Sequence, residues 1–345
     1  EPFGVLLGNY QVTHLSRISG QDDIQILSGM SAIAAASFAP FIVNAHPSLL
    51  ELDSFAELHG SVNLTTTFQQ KSYIKWKAFR KTEDARFVGI TLPRLLIREP
   101  YAKTATRVDK FVYSDRTKSG DKGDYLWIGS SFAFGSVLAR CFSSTGWLAE
   151  ITGVRSYSGG TVDDLPTPIS EVDRQGKMPA EVLITDDLER ELSDHGFIPL
   201  SYTTNSDIGV FYSASSVQSP QSYAEKIAQI NSKYSSMLQY VFCTSRFSHY
   251  LKVIVRDKVG AFASAEDCRH YLQNWILNYV MSTDEASEKL LSQYPLRDAK
   301  ISVYEQTGSA GAYFCIAHIK PHFQLEAIET SIHFVAEVVP ARVTG

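Results

Sequence analysis

The C-terminal stretch Ala299-Lys-Ile-Ser-Val-Tyr304 alternates apolar and polar side chains, as a strand with one buried face does. Gly308-Ser-Ala-Gly311 follows as a turn, and Ala312–Lys320 and Ile328–Glu337 are two further β-rich runs with partial alternation. Together the three runs predict an antiparallel sheet of three strands, which we call the C-terminal β-block.

Segments with apolar residues at helical spacing precede the β-block. Asp22–Phe38 is rich in alanine and ends before Pro40, while Tyr234–Val259 and Ala265–Met281 predict long helices. Arg86–Leu92 has the composition of a strand. We therefore predict an α/β fold of the mixed α+β kind. It would have two domains, 1–185 and 186–345, with the long helices and the β-block in the second.

The bulk composition is that of a globular protein without a nucleic-acid partner. The chain has 345 residues, 44% of them hydrophobic and 20% charged, and its net charge is −5. A nucleic-acid-binding domain usually carries a basic patch, which this charge does not favour. The longest apolar run, 31–43, contains Pro40 and is too short to span a bilayer, so no membrane insertion is predicted.

The cysteines predict free, buried thiols. The four of them are far apart and form no CxxC pair, which argues against a zinc site or a redox dithiol. Free thiols of this kind fit a reducing cytoplasm. The first residue is Glu1, and Phe3-Gly-Val-Leu-Leu7 already has the pattern of a strand, so we expect the natural chain to begin upstream.

Short patterns that resemble catalytic or metal-binding motifs lack the context such sites need. Ser72 and Lys75 have the spacing of a serine–lysine pair, but no companion motif is present. His318 and His322 are four residues apart, yet Pro321 between them is incompatible with a helix that would bring both to a metal. We predict no catalytic residue, no metal site and no cofactor.

Polar residues in the segment 234–259 leave one alternative open. Arg246, His249 and Asp257 could suggest a catalytic group. His249 and Asp257 are eight residues apart, more than two helical turns, so they cannot touch within a straight helix. A polar seam against a neighbouring domain or subunit is the preferred interpretation. A cytoplasmic enzyme with a site around Arg246 and His249 is the alternative.

Five longer stretches form a recognisable pattern. They are Asp124-Tyr-Leu-Trp-Ile-Gly-Ser-Ser-Phe-Ala-Phe134, Pro179–Asp186 with Glu191–Leu200, Val210-Phe-Tyr-Ser-Ala-Ser-Ser-Val-Gln218, Ser245–Phe262 and Lys320-Pro-His-Phe-Gln-Leu-Glu326. Taken in this order, they resemble the large subunit of the contractile sheath of type VI secretion systems, the TssC (VipB, EvpB) family. Ile128-Gly-Ser-Ser131 departs from the family's Gly-Asn-Ala pattern, which suggests an atypical, IglB-like member.

The resemblance implies a structural role with several partners. Family members pair with a small sheath subunit (TssB, VipA or IglA-like) and with copies of themselves, six heterodimers to a ring, in a helical cytoplasmic sheath. The sheath surrounds the Hcp inner tube, stands on a baseplate, contracts, and is recycled by a ClpV-type ATPase. Residues 1–185 would form the outer domain and 186–345 the inner one. The segment that binds the small subunit would lie before Glu1.

On the basis of the resemblance we predict two interaction surfaces. Arms of neighbouring subunits add strands to the C-terminal sheet, which suits the β-block because main-chain hydrogen bonds supply the affinity. The short charged helix that begins at Asp186-Asp-Leu-Glu189 would face the tube, since charged contacts can release more easily than a large apolar patch. The tube-facing residues would be Asp186, Asp187 and Glu189. The inter-subunit sheet would involve Ile301, Val303, Phe314, Ile316, Ile332 and Phe334.

Overall fold

A computed structural model describes residues 3–14, 22–59, 63–101, 113–115, 125–154, 159–166, 179–202, 208–258, 264–283, 287–305, 313–322 and 332–338. The helices are α1 (Asp23–Ser37), α2 (Leu64–Gln69), α3 (Ile74–Arg80), α4 (Ser131–Thr145), α5 (Asp186–Asp194), α6 (Lys226–Ser235), α7 (Leu238–Asp257), α8 (Ala265–Leu277) and α9 (Glu288–Gln293). The strands are β1 (Leu6–Val12), β2 (Phe41–Ala45), β3 (Val88–Leu92), β4 (Arg94–Leu96), β5 (Trp127–Gly129), β6 (Thr161–Val162), β7 (Phe197–Pro199), β8 (Ser201–Tyr202), β9 (Gly209–Val210), β10 (Leu296–Glu305), β11 (Tyr313–Pro321) and β12 (Ile332–Val338).

A parallel sheet organises the first part of the chain. Its strands run in the order β1-β2-β3-β7, and every pair of neighbours is parallel. All five residues of β2 and all five of β3 are buried, which is why both strands are mostly apolar on both faces; Asn44 and Thr91 are the polar exceptions. One apolar cluster includes Leu27 of α1 and Trp76 of α3, and a second includes Phe134 and Val137 of α4.

The side chain of Asn44 joins β1, β3 and the start of α4. The register of β1 on β2 shifts between Leu7 and Gln11, opposite Asn44. Asn44 Nδ2 donates to the Gly8 carbonyl (3.2 Å), while Oδ1 accepts from Thr91 Oγ1 and from the Ser131 amide (2.9 Å each). The amide therefore replaces ladder hydrogen bonds that the irregular register removes.

The parallel sheet extends past the boundary expected near residue 185. Strand β7 pairs with β3 through Ile90↔Phe197 and Leu92↔Pro199. Beyond it, the Val217 amide donates to the Val88 carbonyl (2.9 Å). A division at 185 would thus cut through the first sheet. The boundary itself stays a prediction; the sequence pattern does not indicate this pairing, because β7 is only three residues long and pairs with a strand about a hundred residues earlier.

The C-terminal part confirms the predicted antiparallel β-block. Its strand order is β10-β11-β12, with both neighbouring pairs antiparallel. Helices α7 and α8 cover one face through an apolar cluster that includes Phe247, Leu272, Ile301 and Ile319. Trp147, which follows α4, stacks on Phe247 with ring centroids 4.3 Å apart. The expected helix 234–259 is present as α7, preceded by the separate helix α6.

Candidate assembly surface

The C-terminal sheet presents one buried face and one partly exposed face. Cys315, Ala317 and Ile319 of β11 are buried, whereas Ile316, His318 and Lys320 between them are half-exposed. The register places Lys300, His318 and His333 in one row across the three strands. The buried face belongs to the core of the subunit, so a partner could meet the sheet at its exposed face or at its edges.

The residues proposed for the inter-subunit sheet differ in their surroundings. Ile301 is 2% exposed, and Val303 is half-buried against the same cluster. Ile316 lies on the other face and is half-buried. The register sets Phe314 opposite Tyr304, Ile332 opposite Ile319 and Phe334 opposite Ala317. The structure therefore brings these positions into one sheet, while the role of each toward a second subunit stays a prediction.

One pair of hydrogen bonds shows which backbone groups point outward at the two edges of the sheet. The Ile301 amide donates to Gln273 Oε1 (2.8 Å), and Gln273 Nε2 donates to the Ala299 carbonyl (2.9 Å). Backbone groups of β10 alternate between β11 and the outside, so those of Val303 also point outward. The same alternation carried through β11 makes the backbone groups of Val335 in β12 point outward. Sequence reasoning missed Gln273, because a half-exposed glutamine on a helix gives no signal.

The acidic start of α5 is only partly available to a partner. Asp186 and Asp187 are exposed, and Asp187 lies 3.8 Å from Arg190 in a surface ion pair. Glu189 is half-buried, and its Oε1 accepts a hydrogen bond from Ser213 Oγ. All three carboxylates stand in the first turn, where they also favour the helix dipole. Glu189 is thus engaged within the chain, whereas Asp186 and Asp187 are free to meet a partner surface.

The residues of the enzyme alternative do not assemble into a catalytic group. Arg246 Nη2 donates to Tyr250 Oη (2.6 Å), and the guanidinium lies 4.7 Å from the centroid of the Tyr250 ring. Asp257 pairs with Arg256 at 3.0 Å. His249 lies two helical turns from Asp257 on α7, as its spacing requires. The polar side chains of α7 therefore serve local contacts.

A cavity of about 240 Å³ lies elsewhere, between the ends of α3 and α5 and the helix α6. Arg80 lines it and is 8% exposed. Its Nε donates to the Val217 carbonyl (2.9 Å) and its Nη2 to the Asp194 carbonyl (3.4 Å), and burial lowers the pKa of Arg80 to about 10. A cation at the carbonyl end of α5 interacts favourably with the helix dipole. Arg80 thus links α3, α5 and the 217 segment as a structural contact.

Among the described residues, none of the helices has both the length and the hydrophobicity needed to span a bilayer. Within the same ranges, no group of three or more histidine, cysteine, aspartate or glutamate side chains could hold a metal ion.

Two family models match consecutive parts of the chain. The EvpB/VC_A0108 tail sheath N-terminal domain matches residues 1–218, and the EvpB/VC_A0108 tail sheath gpW/gp25-like domain matches residues 227–338. The first match covers the parallel sheet, and the second covers the helices and the antiparallel sheet of the C-terminal part. A chain with these two domains in this order is a tail sheath protein of the contractile kind.

A curated relative narrows the class. The type VI secretion system sheath protein TssC1 of Pseudomonas aeruginosa is 36% identical over 346 residues, covering 99% of this chain and 68% of the relative. The chain belongs to the EvpB/VipB family of type VI secretion sheath proteins. Its role is therefore structural, within a contractile sheath.

One solved structure shares the fold at low identity, and a second is reported beside it. The sheath tail protein Lin1278 of Listeria innocua has a TM-score of 0.50 and 9% identity, with 98% of this chain and 57% of that chain covered. A chain of the anti-feeding prophage baseplate has a TM-score of 0.47 and 10% identity, with 90% and 65% covered. The chain thus spans between about half and two thirds of these longer proteins.

Proposed function

We propose that this chain is the large subunit of a cytoplasmic type VI secretion sheath, which assembles with a small sheath subunit in hexameric rings around an Hcp tube and contracts to drive delivery. The observation that carries the proposal is the match of both sheath domains over nearly the whole chain. A baseplate below and a ClpV-type ATPase acting on the contracted state complete the set of partners. The domain division would lie between residues 218 and 227, at the junction of the two matched family domains.

The C-terminal sheet would link copies of the chain. An antiparallel sheet of three strands has two edges, and an edge with unpaired backbone groups can accept a further strand. In a helical sheath, each copy has neighbours at fixed positions. An extended arm of a neighbouring copy would therefore supply the added strand. Main-chain hydrogen bonds would hold such arms while rigid subunits move between two packings, which is what contraction requires.

Two valine-to-proline variants test strand exchange. Val303→Pro and Val335→Pro each remove an N–H that points away from the sheet, one at each outer edge, and leave the ladders to β11 in place. Each variant is co-expressed with the small subunit and viewed by electron microscopy. We expect at least one variant to lose the long tubes while the heterodimer still purifies. Full-length contractile tubes from both variants would refute strand exchange.

The tube contact is tested by reversing the exposed charges of α5. In Asp186→Lys/Asp187→Lys, Glu189 is left in place because its bond to Ser213 supports the fold. We expect weaker assembly around the tube with the heterodimer intact. Asp53→Lys, which also reverses an exposed acid, is the matched control. Unchanged tube binding and firing in the double variant would show that α5 does not face the tube.

A further inference from the structure

The outer edge of β10 is occupied by this chain itself. At one end, the Leu296 amide donates to the Tyr279 carbonyl (3.2 Å), and the Met281 amide donates to the Leu296 carbonyl (2.8 Å). Further along, Gln273 takes the Ile301 amide and gives a hydrogen bond to the Ala299 carbonyl. These four bonds engage the Leu296 amide and carbonyl, the Ala299 carbonyl and the Ile301 amide at the outer edge of β10.

The amide of Gln273 makes the two bonds that a neighbouring strand would make. A peptide group on an added strand would donate one hydrogen bond through its N–H and accept one through its carbonyl oxygen. A glutamine side chain offers the same donor and acceptor. Gln273 reaches the edge from α8, whose Leu272 and Ile276 are buried in the cluster beneath the sheet. An incoming strand would have to displace the side chain of Gln273 from both backbone groups.

We infer that Gln273 closes the β10 edge and so directs strand addition by a neighbouring copy to β12. The inference rests on the proposed strand exchange and adds the edge at which it occurs. Its physical basis is selection between the two edges of the sheet. At the β10 edge, backbone groups of Leu296, Ala299 and Ile301 are already hydrogen-bonded within the subunit, whereas β12 is the last strand of the sheet among the described residues. An edge that is blocked in the free subunit also avoids pairing with the wrong partner.

The row Lys300–His318–His333 provides a matched pair of probe positions. Lys300 lies on β10 and position 333 on β12, both opposite His318. The photo-crosslinker p-benzoylphenylalanine is placed at one position at a time in assembled sheaths, and mass spectrometry identifies the cross-linked peptides. We expect His333→p-benzoylphenylalanine to cross-link to a second copy and Lys300→p-benzoylphenylalanine to cross-link within its own chain. Val335→Pro should lose the tubes, whereas Val303→Pro should keep them.

Gln273→Leu removes both hydrogen bonds at similar side-chain volume and reopens the edge. Cross-linking from position 300 to a second copy should then rise roughly tenfold, since two hydrogen bonds of ordinary net strength together change an equilibrium by about that factor or more. Hydrogen exchange at the Ile301 amide should accelerate in the same variant. Asn274→Leu, at the next, exposed position of α8, should change neither measurement.

The outcomes separate the inference from the proposal on which it rests. Cross-links from position 300 to a second copy in sheaths with Gln273 intact would overturn the edge assignment while strand exchange stands. Cross-links between copies from neither position would refute strand exchange and the inference with it. Cross-links from position 333 to the small subunit alone would refute the assignment of the incoming strand to a second copy. An unchanged exchange rate of Ile301 in Gln273→Leu would overturn the closure of β10 by this side chain.

Discussion

The contact between Asn44 and Gly129 yields a quantitative prediction. A Cβ atom built on Gly129 would lie 2.1 Å from Asn44 Cγ, so an alanine at 129 needs the space that the Asn44 amide fills. Asn44 in turn accepts hydrogen bonds from Thr91 Oγ1 and the Ser131 amide, both in fully buried residues. The two positions therefore depend on each other although they are 85 residues apart in the sequence.

The magnitudes follow from these contacts. Asn44→Ala leaves the Ser131 amide without its acceptor and weakens the bonding of Thr91, whose hydroxyl keeps a 3.2 Å contact to the Val43 carbonyl. We expect a loss of about 3 kcal/mol in the free energy of unfolding, at about 1–3 kcal/mol for each unsatisfied buried group. Gly129→Ala should cost about 2 kcal/mol by overpacking. In the double variant the clashing atoms of Asn44 are gone, so the loss should fall short of the sum by about 1–2 kcal/mol.

Urea unfolding followed by tryptophan fluorescence measures the four members of this cycle. Asn63→Ala is the matched control: Asn63 caps α2 at the surface by accepting from the Thr66 amide (2.9 Å), and its loss should cost about 1 kcal/mol and show no coupling to Gly129→Ala. Strictly additive losses for Asn44→Ala and Gly129→Ala would refute the reasoning, because the clash would then not be with the Asn44 amide.

Three further predictions concern titration, an ion pair and the thiols. Burial lowers the pKa of His14 and His195, so these side chains bind protons in the unfolded chain before the folded one as the pH drops below about 6.5. The free energy of unfolding should therefore fall between pH 7.5 and 5.5, by at most about 1.4 kcal/mol per pH unit for each histidine. A urea midpoint that does not change with pH would contradict this. Glu181→Gln removes the charge of a buried carboxylate that accepts from Arg94 Nε (2.8 Å), and calorimetry should show a lower Tm from a loss of about 2 kcal/mol; an unchanged Tm would argue against that pair. All four cysteines are free and buried, and burial raises the pKa of Cys315 to about 12, so iodoacetamide should label the thiols only after unfolding, and rapid labelling of the native chain would contradict their burial.

The sequence by itself determined the local elements and the family. Alternation over Ala299–Tyr304 and Ala312–Lys320 predicted two strands that the structure places at Leu296–Glu305 and Tyr313–Pro321. These signals are readable because side-chain period and burial are fixed within a single element. The family resemblance rests on long strings of residues in a fixed order, and the sheath matches confirmed it.

Only the tertiary structure decided which surfaces a partner can reach. Gln273 meets the Ile301 amide 28 residues further along, and Glu189 is taken up by Ser213 at a separation of 24 residues. The three-residue strand β7 joins a sheet whose other strands all precede residue 93. No periodicity marks such contacts, because a side-chain hydrogen bond depends on where two distant segments meet. The sequence could therefore indicate a sheet and a charged helix, while the occupied backbone groups of β10 and the exposure of Asp186 and Asp187 followed only from the packing around them.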